Sequence, residues 1–279
     1  MYRTRLLSLL LLLPALAACA SQHPAPALQA PIPALSVAAI LDGGKTSPLQ
    51  SPVIVRYAPY PPASFERLTL ARETGQGEAW VSTTRVTGTT FAEATGDLVT
   101  ITFVIESASS NGNLPAGREG KPTIKGAKLT LLVPPLGPVS KATASLPSSR
   151  NTPIQAAAAE KRLINEFSSQ IGLPPTGFHQ NDVIKISEAY PARTGDSPDS
   201  FDGKATVQGL GFYRGRPVIL FDITGVGTVK GQPIGMHAYQ FLDTATGIWS
   251  HIELLVEGTF TINGETLSTR LRIIDDVQF

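Results

Sequence analysis

Cysteine is almost missing from this chain: Cys19 is the only one among 279 residues. A lone thiol closes no internal disulfide and builds no multi-thiolate metal centre, so both scaffolds are excluded. Charge is equally thin. Ionisable Asp, Glu, Lys and Arg make up 16% of the residues and leave a formal net charge of +1. A nucleic-acid binder needs a basic face, so no nucleic-acid partner is expected. Aromatic residues reach only 7%, with two tryptophans, Trp80 and Trp249. Two scattered indoles do not make the platform of a sugar binder, and each reads as a core residue. The chain also lacks a G-x-S-x-G elbow, an H-E-x-x-H pair, an S-x-x-K motif and a P-loop. The sequence therefore assigns no catalytic residue, no cofactor-binding residue and no metal ligand. Its balance favours a non-catalytic protein.

What is present is apolar residue and punctuation. Hydrophobic residues make up 42%, and there are 25 glycines and 23 prolines. Glycine plus proline is about 17% of the chain against a usual value near 12%, which favours turns and short strands over a helical bundle.

The first residues read as an address. Arg3 and Arg5 precede a leucine run over 6–13, broken only by Ser8, and Pro14 leads into small residues. This is the plan of a secretory signal peptide, too short to remain as a spanning helix. Leu16-Ala17-Ala18-Cys19 then resembles the lipobox of bacterial lipoproteins. The resemblance implies cleavage after Ala18 and lipid attachment at Cys19, and it explains why a secreted chain carries one cysteine. Ala20 stands where aspartate is absent; in lipoproteins of the enterobacterial type this implies the outer membrane, facing the periplasm. Removing residues 1–18 takes two arginines and no acid, which turns the net charge of +1 into −1. Electrostatic adhesion to anionic lipid is then not expected to help the anchor.

Four segments follow from composition. Residues 1–18 are the signal peptide, and 19–38 form a lipidated tether with prolines at 24, 26, 31 and 33. Residues 39–150 read as an N-terminal β module, with strands over 53–57, 65–71, 79–86, 98–106 and 128–133 and a polar loop over 107–122. Residues 151–279 read as a helix followed by an antiparallel meander. Pro153, Ala156 to Ala159, Leu163, Phe167 and Ile171 predict an amphipathic helix over about 153–171, stopped by Gly172 and Pro174. The meander is expected over 182–187, 204–213, 216–225, 233–243, 248–258 and 265–274, with a loop over 191–203. Its turns include Asn263-Gly264 and Thr244-Ala245-Thr246-Gly247. The fold class is thus α+β, mostly β, with meander sheets and one helix laid against them. Phe91-Ala92-Glu93-Ala94-Thr95-Gly96 and Phe241 to Gly247 share a pattern that fits either duplication or convergent turn chemistry.

Histidines and acids are the residues left that could carry chemistry. His23 falls in the tether, and His179, near Asp182, reads as a loop residue with local hydrogen bonds. His237 and His251 lie on the two arms of one hairpin. With a one-residue bulge they share a face with Glu253, an arrangement able to bind zinc; without it they part. A hydrogen-bonded strand histidine is the commoner outcome. Asp275 and Asp276 point to opposite sides if extended, and Asp196, Asp199 and Asp202 read as a solvated acidic loop without the spacing of an EF-hand.

The stretch from Leu173-Pro174-Pro175 through Asp182-Val183-Ile184 and Gly211-Phe212-Tyr213-Arg214-Gly215-Arg216 to Leu242-Asp243-Thr244-Ala245-Thr246-Gly247 resembles bacterial envelope lipoproteins with a meander and a D-x-x-T-G turn. It is also similar to the curved sheet-plus-helix of the LolA/LolB lipoprotein carriers. The resemblance implies a lipid-anchored envelope protein facing the periplasm, whose expected partners are the membrane and either an apolar ligand or another envelope protein. A periplasmic hydrolase and a purely structural component are the alternatives.

Overall fold

The structure, a computed structural model, describes residues 35–75, 78–112, 125–147, 160, 173–190, 199–229, 232–262 and 265–279. Strand chemistry dominates them. Apolar and polar residues alternate along most of the chain, and each strand turns one row of side chains inward. The strands are β1 (Tyr60–Gly75), β2 (Glu78–Thr95), β3 (Leu98–Gly112), β4 (Lys128–Val133), β5 (Lys141–Ser145), β6 (Val183–Tyr190), β7 (Asp199–Tyr213), β8 (Arg216–Val229), β9 (Gln232–Asp243), β10 (Trp249–Ile262) and β11 (Glu265–Gln278). All pair antiparallel in a single eleven-stranded sheet of order β5-β4-β3-β2-β1-β11-β10-β9-β8-β7-β6. Each strand neighbours its successor except across β5 and β6, which are the two edges. The pairing of β1 with β11 runs from Ser64–Gln278 to Thr74–Ser268 and joins the early and late segments in that one sheet.

The sheet must curl, and the chain before β1 shows it. Nine strand spacings separate β4 from β6, about 43 Å in a flat sheet. Yet Tyr57 N–H donates to Pro135 O at 2.9 Å just past β4, and Val53 exchanges bonds of 3.0 and 2.9 Å with Phe178 just before β6. Four extended residues reach at most about 14 Å. Gly137 and Leu173 also bridge directly. The two halves therefore bend toward each other around a common interior, with the seam at β5 and β6.

Residues 35–58 act as a strap at this end. Leu41 is buried on the outer face with Tyr213, Val218, Leu220 and Phe241. The chain then pairs Ser47 with Leu210, beyond the point where β6 stops pairing with β7. From there it passes inside, where Leu49, Val55 and Tyr57 join the main core. That core runs from Ile101 and Leu131 to Phe221 and Ile273 as one cluster. Phe178, Phe221 and Trp249 stack edge to face in its centre, with ring centroids 5.2 and 5.5 Å apart.

This architecture corrects the α+β expectation. Among the described residues the complete helical elements are two 3-10 turns, Val37–Ala39 and Asp42–Gly44. The segment expected to be an amphipathic helix, 153–171, lies outside the described residues apart from Glu160. The physical reason for the correction is that, among the described residues, the apolar face is covered by the curl of the sheet and by the strap. Residues 53–57 are this strap and form no ladder strand. β5 went unread because Lys-Ala-Thr-Ala-Ser alternates without large apolar residues. β3 and β7 extend into stretches read as loops, to Gly112 and from Asp199.

Candidate functional site

The register fixes what lines the concave face. Across the middle of the sheet run Phe221, Gln240, Ile252, Asp275, Arg67 and Val86, each opposite the next. Toward the strap the facing residues are large: Trp249, Phe65 and Val277 beside Leu242 and Ile219. Away from it the aromatic rings give way to aliphatic, small and polar side chains. The next row is Ile223, Ala238, Leu254, Ile273, Thr69 and Thr84; then come Gly225, Met236, Val256, Leu271, Ala71 and Ser82; then Gly227, Ile234, Gly258, Thr269 and Glu73. The concave face thus carries its largest rings at the strap end and a mixture of aliphatic, small and polar residues at the other. Ile252, Ala71, Ser82 and Thr84 keep partial exposure although they face inward. The Phe201 ring adds to the smoothness of this wall: it lies across Gly203 and Gly225, where any Cβ would strike it.

Polar groups on this face are few. Arg67 is buried and held bidentate by Asp275, Nε to Oδ1 at 2.6 Å and a terminal nitrogen to Oδ2 at 2.8 Å. Gln240 and Thr269 are 3% and 5% exposed, and the Gln240 Oε1 and Thr269 Oγ1 atoms have no hydrogen-bond partner. Such orphans are uncommon in a packed interior and mark where an outside group can bond.

The outer face of the same strands holds an ionic network. The bulge between Trp249 and His251 puts His237, His251 and Glu253 on one face. His237 sits opposite Leu255, however, and bonds Asp222 at 2.9 Å. His251 is buried between Asp276, with Nδ1 2.9 Å from Oδ1, and Glu253, with Nε2 3.9 Å from Oε2. Asp276 also accepts from the Tyr213 hydroxyl and from Arg214, and Glu253 pairs with Arg272. Burial pushes His251 down, but its two carboxylate neighbours outweigh that and raise it above 6.5. Burial likewise pushes Asp276 and Glu253 up; the bond to His251 with Tyr213 for the one, and with Arg272 for the other, prevails and lowers both. Burial and the Asp276 carboxylate raise the Tyr213 phenol, which stays protonated. Each group has an oppositely charged neighbour, although His251 Nε2 and Arg272 Nε are buried without a hydrogen-bond partner, and among the described residues no trio of His, Cys, Asp or Glu is placed to hold a metal. Beside this network a shallow outer dent of about 420 Å³ lies over Gly235 and His237.

The remaining sequence candidates fall apart in space. His179, a loop residue, donates its backbone N–H to Asp182 Oδ2 at 2.7 Å. Asp275 faces inward and Asp276 outward. Asp243, fully buried, accepts from Arg216 at 2.7 and 3.0 Å and from the Ala245 and Thr246 backbone and the Thr246 hydroxyl at 3.1, 2.8 and 2.8 Å. The D-x-x-T-G pattern is therefore a turn lock, with Gly247 in the left-handed region at φ 73° against the strap backbone. Cys19, Ala18, His23 and Asp196 lie outside the described residues. Arg67 and Gln240 escaped sequence reading. The available signal was a charged residue at an inward position of Phe65-x-Arg67-x-Thr69-x-Ala71, but its partner stands 208 residues away.

No protein-family model matches the chain, and no curated protein matches it. Among solved structures it is similar to a DUF1329 family protein from Desulfovibrio piger, at 8% identity and a TM-score of 0.22, over 77% of this chain and 85% of that one.

Proposed function

We propose that the concave face is a receptacle for an apolar chain, carried by a protein tethered to the bacterial outer membrane through a lipid on Cys19. The observation that carries this reading is the change along the interior. Large rings fill the strap end, while at the other end the inward-facing Ala71, Ser82 and Thr84, with Ile252 between, keep partial exposure to solvent. A hydrocarbon in such a trough gains about 0.8 kcal/mol per buried methylene, enough over a long chain for micromolar binding. The lipobox Leu16-Ala17-Ala18-Cys19 and the proline-bearing stretch after it supply the anchor and tether. The outer network argues for structure over catalysis, since His251 is buried and each of its partners is engaged.

The test is equilibrium binding of a fluorescent acyl-chain probe to the purified full chain. Ala71→Trp, which fills the wide part of the trough, should weaken binding at least tenfold, while Thr224→Trp on the exposed outer face should leave it unchanged. Equal effects of the two would overturn the assignment. The anchor is tested by Cys19→Ser, which should leave an unprocessed or soluble species; a variant still cleaved after Ala18 and membrane-bound would overturn it.

A further inference from the structure

We infer that the trough selects neutral amphiphiles with a hydrogen-bonding headgroup, such as acylglycerols, over free fatty acids. This deepens the receptacle reading and rests on it. The argument is one of charge. Among the described strands Arg67 is the single Lys or Arg at an inward-facing position. A cation at the floor of an apolar trough is what a fatty acid carboxylate needs. Here that cation is already taken by both oxygens of Asp275, at 2.6 and 2.8 Å, on the neighbouring strand. Glu73, also inward and buried, adds a further acid two rows beyond Thr69. The inward cation thus already has its counter-charge, and a second carboxylate entering this low-dielectric space would find no other inward Lys or Arg on the described strands to pair with.

What the interior does offer is acceptors. Gln240 faces the trough in the same row as Arg67 and Asp275, 3% exposed, with Oε1 unpartnered. Thr269, three rows nearer the wide end, presents an unpartnered Oγ1. Each can accept a proton from a hydroxyl or an amide, and Thr269 can also donate one. A neutral headgroup satisfies these buried atoms at no cost in charge, whereas an ionised carboxylate carries no proton to donate to Gln240 Oε1. Leaving such an atom unpaired is what makes polar-group discrimination steep.

The experiment is equilibrium dialysis of the full chain against monooleoylglycerol and against oleate, both below their aggregation concentrations, at pH 8. The expected result is monooleoylglycerol binding at least tenfold tighter than oleate. Asp275→Asn, which leaves Arg67 without its counter-charge, should narrow or reverse that ratio by about tenfold. Gln240→Leu should weaken monooleoylglycerol several-fold and leave oleate unchanged; this variant serves even if Asp275→Asn fails to fold. Oleate binding as tightly as monooleoylglycerol, or a ratio unmoved by the variants, overturns the selectivity while leaving the receptacle standing. Failure of both probes to bind overturns the receptacle and this inference with it.

Discussion

The two faces of strands β9, β10, β11 and β1 are built from one stretch of alternating sequence and do opposite things with charge. The inner face holds the compensated pair Arg67 with Asp275 and one further buried acid, Glu73, amid mostly apolar residues. The outer face carries His251, Glu253, Asp276, Arg272, Arg270 and Glu257, each paired with another. Asp275 and Asp276 put the contrast in two adjacent residues: the first turns inward to Arg67, the second outward to His251 and Tyr213. A pleated strand can thus serve an apolar interior and an ionic exterior with neighbouring acids, provided each finds its own cation on the neighbouring strand.

The largest break in this comparison comes from the inner face. Phe221→Ala removes the ring shared by Phe178 and Trp249, and truncation of such a core residue costs about 3–5 kcal/mol. Chemical denaturation should show a correspondingly lower midpoint, with little dependence on salt. Next comes the turn lock. Asp243→Ala deprives Arg216 and three turn donors of their acceptor, and a drop of about 1.5–3 kcal/mol is expected from lost charge-assisted bonds.

The outer network should reveal itself through pH. Folding raises His251 above 6.5, so its contribution is complete below pH 6.5 and fades as the pH rises through its folded value. Folding lowers Asp276 and Glu253 from 3.8 and 4.5, so their contributions hold above those values and fade as the pH falls through the folded ones. Stability from this network should therefore be fullest between about pH 4.5 and 6.5, and His251→Phe should flatten the decline above 6.5 in urea titrations. The smallest effect belongs to the outer rim, where Val226, 67% exposed, can become Ser within about 0.5 kcal/mol.

How much of this was legible follows from the range of the signals. Strands such as Lys128–Val133 and the Arg214-Gly215 turn were readable because alternation and positive-φ turn chemistry are local. The bulge that unites His237, His251 and Glu253 was readable only as one of two registers. The α+β expectation gave class-setting weight to one amphipathic segment, because nothing local announces that β1 pairs with β11 about 200 residues away and lets the sheet cover itself. Arg67 and Asp275 were hidden for the same reason, being a pair made by register across the whole chain. The strap over 53–57 looked like a strand because Val53-Ile54-Val55 has strand composition, and only its partners, Phe178 and Pro135, show that it crosses the seam.

The central claim is that the concave face receives a neutral apolar chain, and native mass spectrometry of the protein solubilised from its own membrane tests it most directly. The account predicts a covalent lipid on Cys19 together with a non-covalent adduct of neutral-lipid mass that Ala71→Trp removes and Thr224→Trp retains. A wild-type chain that flies only without such an adduct, or whose adduct survives Ala71→Trp, would contradict it.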